Sequence, residues 1–73
     1  MRTLKETRTD LGWTIRLRAQ RLEKQNTDLA VVQLISSITN KIIREKFFES
    51  TGAAFDFYFK MIPVYTGEYN SRR

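Results

Sequence analysis

Neither cysteine nor histidine occurs anywhere in this 73-residue chain, so its fold must be held by packing and hydrogen bonding alone. Disulfide staples and Cys/His zinc sites, the usual supports of very small domains, are excluded. So are thiol nucleophiles and imidazole proton relays. A chain this short hides only roughly 60% of its unfolded surface on folding, which predicts one thin-cored domain over residues 1–73. Hydrophobic residues at 41% and charged residues at 29% place it with ordered proteins rather than disordered ones. Residues 1–9 and 66–73 are expected as flexible tails.

The excess positive charge sits at the front. Residues 1–25 carry seven basic and three acidic side chains, a net of +4 out of the +5 of the whole chain. Met1 to Asp10 is charged and has Leu4 as its one aliphatic residue after the initiator, so no secretory signal is expected. The longest stretch without charge, Leu29 to Asn40, falls short of the ~20 residues of a spanning helix. These features predict a cytoplasmic protein with no membrane span.

Residues 26–50 have the clearest periodicity. Asn26-Thr27-Asp28 resembles a helix start, with Thr27 or Asp28 as cap. At 100° per residue, Val31, Leu34, Ile35, Ile38 and Ile42 fall on one face, and Gln33, Ser37, Asn40, Lys41 and Arg44 on the other. Leu29, Val32, Ile43 and Phe47 add a second apolar strip beside the first. This predicts a helix over 28–49 with an apolar arc wider than one partner helix can cover, stopped at Gly52.

The first segment supports two periods. Leu4, Leu11, Ile15 and Leu22 share a heptad line, whereas Trp13, Ile15 and Leu17 alternate with Thr14, Arg16 and Arg18 as a strand would. The strong helix formers of residues 19–25 favour a helix over about 10–25. Residues 53–65 are similarly double. Phe55, Phe57, Phe59 and Met61 alternate with Asp56, Tyr58 and Lys60, yet Asp56 and Lys60 would also sit one helical turn apart. A short helix ended by Pro63 is the favoured outcome, followed by an extended tail with a turn at Thr66-Gly67. Leu11-Gly12-x-x-Ile15-Arg16, followed by Leu29-Ala30, resembles the opening of phage-repressor-type helix-turn-helix domains. The resemblance ends there, because the unbroken pattern of 29–48 leaves no turn and recognition helix, and no family is assigned.

Candidate functional residues are few. Arg16, Arg18, Arg21 and Lys24 would form a basic strip on a first helix, suited to a phosphate backbone, an acidic protein groove or a membrane surface. The bland alternative is a solvated face. Phe57 and Tyr58 stand for the aromatic cluster that also includes Phe47, Phe48, Phe55, Phe59, Tyr65 and Tyr69, expected at a core or subunit interface, or as a partner-binding site. Ser36-Ser37 has no histidine to activate a hydroxyl, and Glu45 with Glu49 offers only two carboxylates. No catalysis, cofactor or metal is expected.

Together these features predict a mainly α protein: an antiparallel helical hairpin with a short aromatic C-terminal segment, helix or strand. Its wide apolar arc predicts a homo-oligomer joined through Leu34, Ile38 and Ile42. The expected function is a non-enzymatic adaptor or inhibitor that binds a protein partner through Arg16, Arg18, Arg21, Lys24, Phe57 and Tyr58. The alternative is a nucleic-acid-binding regulator that uses the basic first segment.

Overall fold

The computed structural model describes residues 1–66 and replaces the helical hairpin with a sheet. Four strands, β1 (Arg2–Arg8), β2 (Trp13–Leu22), β3 (Thr27–Ser36) and β4 (Ile42–Phe48), lie side by side in chain order. Every neighbouring pair is antiparallel. One helix, α1 (Thr51–Thr66), follows and covers one face of the sheet.

Both predicted long helices are therefore overturned, and the reason is the same lateral burial seen from two sides. In β2 the strand-like alternation is the one realised: Ile15 and Leu17 are fully buried, while Arg16 and Arg18 point to the opposite face. The helix formers of residues 19–25 are overridden by pairing with β3 and supply the end of β2 plus a single 3-10 turn at Glu23–Gln25. The central strand β3 is buried on both faces, so it shows no alternation at all. Ala30, Val32 and Leu34 face α1, and Val31, Gln33 and Ile35 face away, all of them at most 5% exposed. An apolar run of this kind projects onto a helical wheel as an unusually wide arc. Of the arc that predicted an oligomer, Val31, Val32, Leu34 and Ile35 are hidden within the chain, whereas Ile38, Ile42, Ile43 and Phe47 remain exposed.

The turns settle where the chain reverses. Asp10-Leu11-Gly12 closes the β1–β2 hairpin, with Gly12 at φ +89° and Thr9 N–H donating to the Trp13 carbonyl at 2.8 Å. This is the three-residue loop whose last position needs a left-handed backbone. Asn26 (φ 50°) ends the β2–β3 loop and Asn40 (φ 60°) lies in the β3–β4 loop. Asparagine tolerates this region better than most residues, so the supposed helix start at Asn26 is a hairpin corner. The β1–β2 and β3–β4 loops are tied together by Ser37 N–H donating to the Gly12 carbonyl at 2.9 Å and by the Thr14 and Ser37 hydroxyls at 2.7 Å.

The expected helix of the aromatic segment is present, and longer than expected. Ser50 caps it, its Oγ accepting from Ala53 N–H at 3.3 Å, so Gly52 belongs to the first turn instead of ending an earlier helix. Ala54, Tyr58, Met61, Ile62 and Tyr65 fall at helical spacing along the side that meets Ile15, Leu17, Val32 and Leu34. Pro63 lies inside α1 and does not stop it before Thr66. Arg2–Arg8, expected within a tail, is edge strand β1; of the expected C-terminal tail and turn, residues 67–73 lie outside the described residues.

Candidate functional site

The arginine strip does not form. Residues at alternate positions of a strand share a face, so Arg16 and Arg18 lie on the face away from α1, and Arg21 belongs to the other. Lys24 sits in the β2–β3 loop. Arg16 Nε donates to Glu6 at 2.7 Å across the β1–β2 pair, and Arg21 bridges Asp28 at 3.1 Å and Asn26 at 2.7 Å. Arg18 donates to the Met1 carbonyl at 2.8 Å. Two of the four cations are thereby neutralised by local carboxylates.

The remaining sequence candidates separate as well. Tyr58 is 1% exposed and its hydroxyl bonds that of Thr7, which makes it a core residue. Phe57, next to it, is half-buried on the flank of α1 that overhangs β4. Of the three residues predicted at an oligomer interface, Leu34 is core at 2% exposed, Ile38 stands out of the β3–β4 loop at 87%, and Ile42 is exposed at the start of β4. Tyr69 lies outside the described residues.

Phe57 leads to the site that the sequence did not reveal. Between α1 and β4 runs a groove of about 590 Å³. Its apolar surface comes from Val32 and Leu34 of β3 and from Phe57, Met61, Val64 and Tyr65 of α1. Arg44, Lys46 and Lys60, with Glu45 between the first two, form its rim. Arg44 and Lys46 pair in register with Leu34 and Val32, so they share the helix-facing side of the sheet at its edge. The Lys46 ammonium is held 5.0 Å from the centroid of Phe57 and 5.6 Å from that of Phe48, a cation–π position. Glu45, between the two cations, points to the other face and accepts from Gln33 Nε2 at 2.8 Å.

Electrostatically the groove is one-sided. The ion pairs among the described residues are Arg16–Glu6 and Arg21–Asp28, and neither reaches it. Three cations thus surround an apolar floor, and the one acidic residue of the lining, Glu45, is bonded to Gln33 and forms no ion pair with any of them. A hollow of about 650 Å³ elsewhere, lined by Arg2, Leu4, Gln20 and Asp28 among others, is more open and already has Arg21 paired. The groove also borders an unpaired strand. β4 ends the sheet, so one row of its backbone N–H and C=O groups has no strand partner among the described residues. Its stretch from Arg44 to Phe48 pairs without interruption to Leu34–Ala30, and the one irregularity lies beyond it, at Leu34/Ile35.

This arrangement suits an amphipathic anionic ligand. The described residues contain no group of three metal-ligating side chains and no helix long and apolar enough to cross a membrane. Period two in residues 42–48, with Arg44 and Lys46 on one side, was the available signal for the rim. The helical projection conceals it by sending Arg44 and Lys46 to different sides. No family model, curated protein or solved structure matches the chain.

Proposed function

We propose that this chain is a non-enzymatic binding module, an adaptor or inhibitor, that takes a protein partner in the groove between β4 and α1. The observation that supports this reading is the juxtaposition of three unneutralised cations, an apolar floor and an unpaired strand edge. Apolar contact area with a few charges at its margin is the usual make-up of a protein-binding patch. A phosphate backbone calls instead for an unbroken run of free cations. The N-terminal arginines form no such run, since Arg16 and Arg21 are paired to Glu6 and Asp28.

Capture from the host extract with and without nuclease, using three forms of the protein, tests this. The unaltered chain should retain a protein after nuclease treatment. Arg44→Ala with Lys60→Ala should lose it, and Arg16→Gln with Arg18→Gln should keep it. The reverse pattern, or capture that disappears with nuclease, would hand the role to the N-terminal basic residues and to nucleic acid.

A further inference from the structure

The geometry points to a specific form of partner: an extended segment that adds to the sheet as a fifth strand beside β4, with acidic side chains on the face toward α1 and apolar ones on the other. This rests on the groove being the binding site and says what enters it. Strand addition satisfies the free backbone groups of an edge and reads the incoming segment at alternate positions. Along β4 those positions differ sharply. On the α1 side an incoming strand would lie beside Arg44 and Lys46, with Lys60 above them. On the far side it would lie beside Ile42 and Phe47, both about half exposed, with Glu45 between them bonded to Gln33. Glu or Asp facing the cations, alternating with aliphatic residues facing Ile42 and Phe47, matches the charge of the first row and the apolar ends of the second.

A second copy of the chain is the rival occupant of any unpaired edge, and charge disfavours it. Antiparallel pairing of β4 with another β4 keeps each face aligned, so helix-side residues meet helix-side residues. Registers that pair the length of the strand set Arg44 and Lys46 opposite or diagonal to the same cations of the copy. Like charges across a strand pair are destabilising, and each copy brings Lys60 to the same place. Basic side chains commonly guard edges against self-pairing in this way. The same guard admits an acidic strand.

A synthetic peptide of alternating glutamate and valine, titrated into the isotope-labelled full chain, provides the test. It should shift the resonances of Arg44, Lys46 and Lys60 and slow exchange of the β4 amides that point away from β3. The same peptide N-methylated throughout, which cannot complete a ladder, should bind at least about tenfold more weakly. Arg44→Glu with Lys46→Glu should move the preference to a lysine–valine peptide. If that variant does not fold, the comparison of the two glutamate peptides on the unaltered chain decides. Equal binding of the N-methylated peptide at Lys60 and Phe57 would overturn strand addition while retaining the groove as the site. Shifts confined to the Arg16 and Arg18 face would overturn both. Displacement of the peptide by a single-stranded oligonucleotide at the same cations would overturn the protein reading in favour of nucleic acid.

Discussion

Ile38 marks most sharply how one residue's environment depends on the element it occupies. On a helical wheel it is the centre of the best apolar face, one turn from Leu34 and from Ile42. In the fold it projects from the β3–β4 loop, 87% exposed, while Leu17, which a first helix would place off the Leu11–Ile15–Leu22 line, is fully buried. Ile38→Ala is therefore expected to change stability by no more than about 0.5 kcal/mol. Leu17→Ala should cost about 2–5 kcal/mol. Denaturant unfolding of the two variants separates a sheet from a helical hairpin directly, since the hairpin predicts a large loss at Ile38. Tyr58 makes the complementary point. An aromatic that would serve a binding surface is instead the largest fully buried side chain, with its hydroxyl bonded to that of Thr7.

At the level of elements, legibility followed burial. β2 has one face under α1 and one away from it, and its alternation of Trp13, Ile15 and Leu17 with Thr14, Arg16 and Arg18 is a true strand signal. β3, whose side chains are buried on both faces between β2 and β4, carries no period, so its apolar run imitated a broad helix. α1 was readable as a helix from Asp56 and Lys60 one turn apart, although Pro63 was misplaced as its terminator. A proline within a helix removes the bond to the carbonyl four residues earlier, here that of Phe59, and crowds it. The penalty is ~3 kcal/mol in a helix interior, and here only Val64, Tyr65 and Thr66 continue the helix beyond the break. Pro63→Ala is expected to raise stability by about 1 kcal/mol, with more helical signal and a higher melting temperature. A lower melting temperature would mean that the proline ring itself packs productively.

The described residues form two layers, and the second is one helix. Ile15, Leu17, Val32 and Leu34 are buried only because Ala54, Tyr58 and their neighbours lie over them. A four-stranded meander without that cover would leave an apolar face in water, which small sheets do not sustain. A chain ending at Phe48 is accordingly expected to lose the dispersed amide spectrum of the sheet and to aggregate. A well-dispersed monomeric spectrum from that fragment would show that the strands hold themselves. The same architecture creates the candidate site, because α1 reaches over β4 far enough to form a groove, and among the described residues the strand's outer edge is unpaired.

By itself the sequence determined what depends on composition and local chemistry. It excluded thiol, imidazole and disulfide chemistry and placed most of the net charge in the first third, while residues 53–65 fitted a helix and a strand alike. The left-handed positions were also present, as Gly12, Asn26 and Asn40, although Gly12 and Asn40 sat inside predicted helices and Asn26 at a predicted helix start. Only the tertiary structure decided between strand and helix for residues 10–49 and 53–65, because burial under α1 joins residues as distant as Thr7 and Tyr58, which no local window contains. It likewise decided which cations are free. Arg16 and Arg21 find their acids across strand pairs, whereas Arg44, Lys46 and Lys60, scattered along the sequence, converge where a sheet edge meets a helix.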